Sequence, residues 1–276
     1  MASEVHPSTK ERWGDLESLL VSAAHMRNAG ACSGGWREPN SKNSKINHED
    51  HIMTIQSAVV QFPVDETTGA GYLAMPEKGG PGILVLHAWW GLKPFFKELC
   101  DRLAEEGFIA FAPDLNNGEI ADTIEAAKEL MEKRDDQAQG ETVMAAKAFL
   151  LSHPARLGNE IGVIGFSMGA AWSVATCAFS PESLAAVVLF YGSYTVDFAK
   201  AKAKVLGHFA EVDKWEPAEG VSMMEKAMKT AGLDVTVYTY PGTSHWFMEE
   251  DRPEYNPGAA KLAWGRSLDF LKTFVK

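Results

Sequence analysis

Residues 163–172 read VIGFSMGAAW, an apolar run that places one serine between two glycines. The reading of this stretch decides the fold. Upstream, the strand pattern of residues 161–165 is continuously apolar, as a strand buried on both faces requires. Downstream, residues 167–179 form a helical pattern rich in small side chains. Gly165-Phe166-Ser167-Met168-Gly169 therefore sits where a buried strand hands over to a helix. Such a turn forces its central residue into strained backbone geometry. Glycine at 165 and 169 removes side chains that would collide across it, and Ala170 and Ala171 let the helix approach the sheet. Ser167 is then lifted clear of the sheet's carboxyl edge, at a helix N-terminus whose amides favour negative charge. Placed there, it has the setting of a nucleophile.

Outward from this turn, strand and helix patterns alternate. Residues 58–64 and 69–76 read as a leading hairpin, with turn residues at 65–69. Strands follow at 82–88 and 108–115, separated by an amphipathic helix that stops at Gly107. Residues 119–153 carry two helical segments separated by Gly140. Further strands are expected at 184–192, 203–210 and 234–242, with helices at 220–232 and 258–276. Repeated β-α units with apolar strands predict an α/β fold: a mostly parallel central sheet flanked by helices on both faces.

The chain has 276 residues, 46% of them hydrophobic, enough for a sizeable core. The polar stretch 28–50 reads as loop, and residues 16–25 as two helical turns. We therefore expect a tail or an upstream-extended start at 1–52 and one compact domain at 53–276. The net charge of −11 excludes nucleic acid and anionic membrane surfaces as partners. No apolar run approaches the about 18–20 residues of a membrane span. Cys32, Cys100 and Cys177 are widely spaced, which is neither a disulfide framework nor a zinc site. With no secretory pattern at the N-terminus, the expected location is cytoplasmic. The run HEDH at 48–51 reads as a solvated polar segment, so no metal and no cofactor is expected.

A serine nucleophile needs a base and a group to orient that base. After Ser167, only His208 and His245 remain. His208 falls inside a strand pattern and reads as a core histidine. His245 follows the last strand in a turn, YPGTSHWF, from which it can reach over the sheet edge. The segment GHFAEVDKWEP offers Asp213 as the acid, with Glu211 as the alternate. An oxyanion requires amide donors, and the backbone N–H groups of Met168 and Trp89 are the candidates. His87, Trp90, Phe95, Tyr191 and Trp246 are the candidate pocket residues.

These segments together resemble the dienelactone hydrolase family of α/β-hydrolases from about residue 53 to 276. The resemblance is carried by LVLHAWWGLKPFFKELCDRLAEEGFIAFAPDL, GVIGFSMGAA, GHFAEVDKWEP and YPGTSHWFMEEDRPEYNPGAAKLAWGRSLDFLK. It places Ser167 on the family's nucleophile, Asp213 on its acid, His245 on its base, and Trp89 and Met168 on its oxyanion amides. It implies hydrolysis of a small-molecule carboxylic ester or lactone without a cofactor, and leaves oligomeric state open. Three departures bear on substrate rather than on fold. The type enzymes carry cysteine where Ser167 stands and a glutamate where Ala88 stands. They also grip a substrate carboxylate with arginines at positions that here read Asn117 and Glu249. The runner-up activities on the same residues are thioester or acyl-peptide cleavage. A non-catalytic hydrolase-fold binding protein is the reading from another class.

Overall fold

The computed structural model describes residues 42–44 and 54–276. Among these, nine strands form one sheet in the order β1-β2-β3-β5-β4-β6-β7-β8-β9. The strands are β1 (Lys42–Ser44), β2 (Ile55–Val64), β3 (Thr67–Pro76), β4 (Gly80–Leu86), β5 (Ile109–Pro113), β6 (Arg156–Phe166), β7 (Leu184–Phe190), β8 (Lys204–Ala210) and β9 (Val235–Tyr240). From β1 through β3 to β5 the neighbours are antiparallel. From β5 across β4, β6, β7 and β8 to β9 they are parallel.

The connections are α1 (Pro94–Glu105), α2 (Ile124–Lys133), α3 (Asp136–Leu151), α4 (Met168–Phe179), α5 (Ala218–Thr230) and the closing α6 (Pro257–Phe274). Successive residues of β4 point to opposite faces. Leu84 and Leu86 join the layer built on α3, α4 and α5, whereas Ile83 and Val85 join the layer of α1 and α6. The strand therefore has to be apolar at every position, which is why its sequence does not alternate.

The expected α/β architecture is the one observed, with local corrections. The hairpin turn is Asp65-Glu66 alone, because β3 already begins at Thr67; Asp65 takes φ 44° there. The break between α2 and α3 falls at Arg134-Asp135, and Gly140 lies buried inside α3. The Asp135 carboxylate accepts hydrogen bonds from the N–H groups of Gln137 and Ala138, and this cap sets the helix start. β6 begins earlier than the apolar run suggests, at Arg156. Lys42–Ser44, inside the stretch expected to be loop, pair with β2. The helical turns expected at 16–25, Cys32 and the HEDH run lie outside the described residues. No helix among the described residues is long and apolar enough to cross a membrane.

Candidate active site

Ser167 occupies the turn between β6 and α4 with φ 51° and ψ −110°. That conformation is rare for any residue with a side chain and is strained. The surroundings enforce it. A Cβ on Gly165 would lie 2.2 Å from the carbonyl oxygen of Gly169, and one on Gly169 would lie 2.1 Å from that of Leu86. The Ser167 N–H donates to the Phe190 carbonyl at 2.9 Å, and its own carbonyl accepts from Ala170 and Ala171. The side chain is half-buried.

Asp213 lies in the loop after β8. Its Oδ1 accepts from the backbone N–H groups of Trp215 and Glu216 at 2.8 and 2.9 Å. Its Oδ2 is 2.7 Å from Nδ1 of His245. The other ring nitrogen of His245, Nε2, is 3.0 Å from Ser167 Oγ. A carboxylate can only accept, so Nδ1 carries the proton and Nε2 presents its lone pair to the serine hydroxyl. Both the acid and the imidazole are nearly excluded from water, at 5% and 4% side-chain exposure. Glu211, the alternate acid, is exposed and accepts from the Gly242 N–H instead. The loop is further tied by Glu216, whose carboxylate accepts from both the hydroxyl and the N–H of Ser193.

The backbone N–H groups of Trp89 and Met168 find no acceptor among the described residues. Met168 is the first residue of α4, where an N–H has no partner within the helix. The Trp89 loop is pinned from the other side, as its carbonyl accepts from the Asn116 side-chain amide at 3.2 Å.

The candidate pocket residues are brought close but mostly turned inward. His87 is fully buried; its Nε2 accepts from the Leu115 N–H and its Nδ1 donates to the Ala88 carbonyl. Burial pushes its pKa down, so it is a neutral brace between two loops rather than a wall. Trp90, Tyr191 and Trp246 are also buried, and Phe95 packs edge-on against Phe166. Trp246 stands edge-on against His245, and the half-buried aromatic surface around Trp246 belongs to Trp89 and to Trp215, which was not among the candidates. Their rings meet at 5.0 Å, and both contact Trp246. The one signal for Trp215 was its place two residues after Asp213.

His208 is a core histidine, as expected. Its Nδ1 accepts the Tyr240 hydroxyl and its Nε2 donates to Ser267, whose own hydroxyl donates to the Ala263 carbonyl. Burial, with Arg266 adding to it, drives its pKa down to about 3. Asn117 is exposed, whereas Glu249 is buried behind Tyr191.

Residues 70–275 match the dienelactone hydrolase family. The chain belongs to that family. Among its relatives is Protein usf of Aquifex pyrophilus, 35% identical over 228 residues, covering 79% of this chain and 98% of that one. Another is a protein of Aquifex aeolicus (strain VF5) whose provisional name is carboxymethylenebutenolidase. It is 34% identical and covers 79% of this chain and 99% of its own. Among solved structures, a provisionally named dienelactone hydrolase from Klebsiella pneumoniae superposes with a TM-score of 0.70 at 26% identity. That match covers 79% of this chain and 98% of the other. The fold is the α/β-hydrolase fold, and membership in the dienelactone hydrolase family makes the chain a hydrolase.

Proposed function

We propose that the protein is a serine hydrolase that cleaves a small carboxylic ester or lactone through an acyl-enzyme. The observation that carries this reading is the unbroken chain from Asp213 Oδ2 through the imidazole of His245 to Ser167 Oγ, at 2.7 and 3.0 Å.

In the reaction, His245 Nε2 takes the hydroxyl proton as Ser167 Oγ attacks the substrate carbonyl. Asp213 holds the ring in the required tautomer and stabilises the imidazolium that forms. The carbonyl oxygen becomes an oxyanion, held by the N–H groups of Trp89 and Met168. Collapse expels the alkoxide, which takes the proton from His245, and leaves Ser167 esterified. Water, deprotonated by His245, then attacks the acyl-enzyme, and Ser167 is released with its proton restored. No metal or organic cofactor enters this scheme. In a lactone, alcohol and acid remain one molecule, so the product is a hydroxy acid.

We infer that residues 53–276 make up the catalytic domain and that it works in the cytoplasm. The buried free thiols of Cys100 and Cys177 support a reducing location. Its substrate is a small molecule rather than a nucleic acid, given the net charge of −11.

Labelling with a fluorophosphonate, together with hydrolysis of short p-nitrophenyl esters, tests this reading. The native chain is expected to label once and to turn over esters. Ser167→Ala is expected to lose labelling and at least about 10⁴ of kcat. Unchanged turnover in Ser167→Ala would end it.

A further inference from the structure

Glu249 stands four residues past His245, where the family resemblance placed a substrate-binding arginine. Its carboxyl is buried, with 1% of the residue exposed, and accepts the Tyr191 hydroxyl at 2.8 Å. Tyr191 has no exposed surface and follows β7 in a left-handed backbone conformation, φ 39°. It belongs to the floor beneath the nucleophile. Phe190, just before it, accepts the Ser167 N–H, and Gly192, just after it, approaches Ser167 so closely that a Cβ there would lie 2.5 Å from the Ser167 carbonyl oxygen. The ring of Tyr191 faces His245 at 4.9 Å between centroids, tilted by 54°. One hydrogen bond between residues 58 apart thus joins the loop that carries the imidazole to the strand end that supports the serine. The acyl-transfer steps use neither group.

We propose that Glu249 is a positioning residue for His245, fixing the imidazole against Ser167 through the Tyr191 phenol. The inference rests on the serine-hydrolase reading above. Several charged groups surround the clasp. Asp251 and Arg252 lie on the same loop, Lys93 stands at the head of α1 and pairs with Asp251 and Asp122, and Asp213 acts on Tyr191 from the acid loop. Desolvation raises the Glu249 pKa to about 8, so the carboxyl is largely protonated at neutral pH. A carboxyl oxygen can accept the phenol's hydrogen in either state, as can the oxygen of a glutamine amide; leucine supplies none.

The test compares kcat and KM of the full chain with Tyr191→Phe, Glu249→Leu and Glu249→Gln on a p-nitrophenyl ester. Tyr191→Phe and Glu249→Leu are expected to lower kcat about tenfold to a hundredfold, the scale of a slightly misplaced catalytic group. KM should change less than about threefold, because neither side chain meets the substrate. Glu249→Gln should recover most of what Glu249→Leu loses. Tyr191→Phe keeps the ring and its packing, so it decides the matter even where Glu249→Leu fails to fold. A kcat within twofold of native for Tyr191→Phe overturns the proposal. So does a loss confined to KM, or a glutamine variant no better than leucine. Failure of the serine-hydrolase reading would look different: the native chain itself would not label at Ser167.

Discussion

Asp213 divides its two oxygens, one between two backbone N–H groups and the other facing His245. An asparagine there keeps its carbonyl oxygen on the two backbone donors, which turns its NH₂ toward His245. Nδ1 must then present a lone pair, the ring proton moves to Nε2, and Ser167 loses its acceptor. Asp213→Asn is therefore expected to lose about 10⁴ of kcat while retaining its loop, whereas Glu211→Gln stays within about twofold. The reverse ranking in steady-state kinetics would move the choice of acid to Glu211. That Ser167, Asp213 and His245 meet in one hydrogen-bonded line is legible in the sequence, because each is fixed by its place after a particular strand. The Tyr191–Glu249 hydrogen bond is not legible, since it joins distant residues and neither carries a motif. Burial also explains why aromatic candidates such as Trp90 and Phe95 read as pocket but pack as core: composition cannot tell which side of a loop faces water.

The strand-to-helix turn around Ser167 depends on how closely α4 approaches β4. Gly169 leaves no room for a side chain, since its Cβ would meet the backbone carbonyls of Leu86 and His87, which cannot move without shifting the strand. Gly169→Ala is expected to lower the free energy of unfolding by about 3 kcal/mol or more. Urea denaturation measures this, and a loss under about 1 kcal/mol would mean the turn relaxes easily. At this scale the sequence identifies the elements well where a glycine or proline stops them, as Gly107 does after α1. It misplaces the α2–α3 break because a buried glycine within a helix looks like a stop, while the capping carboxylate of Asp135 that starts α3 looks like any surface charge.

The parallel order of β4 to β9 follows from the alternation of strands and helices, while the placement of β1 rests on a three-residue pairing with no apolar signature. Among the titrations that oppose the whole fold is that of Glu249. Glu249 ionises near pH 4.5 when exposed but only near pH 8 when buried. Between those values the native state holds a proton that the unfolded chain has released, so native stability falls as pH rises through this window. Holding that proton across a full pH unit costs the native state about 1.4 kcal/mol, which makes the whole effect a few kcal/mol. Glu249→Gln removes this titration. Urea midpoints should show the variant gaining on the native chain from about pH 5 to pH 8, then holding a constant lead. A difference that shrinks with rising pH would contradict the burial of an acid at this position.

Four of the eight tryptophans, Trp89, Trp90, Trp215 and Trp246, have ring centroids 5.0 to 6.0 Å from one another in contacting pairs, with Trp246 set edge-on against the imidazole of His245. Indoles this close share their excited states, so their near-ultraviolet circular dichroism arises from the group and depends on its mutual angles. The protein accordingly contains its own optical reporter. On the proposed serine mechanism, a group attached to Ser167 is expected to disturb His245 and the Trp246 ring set against it, and stopped-flow emission should then follow turnover of substrates that carry no chromophore.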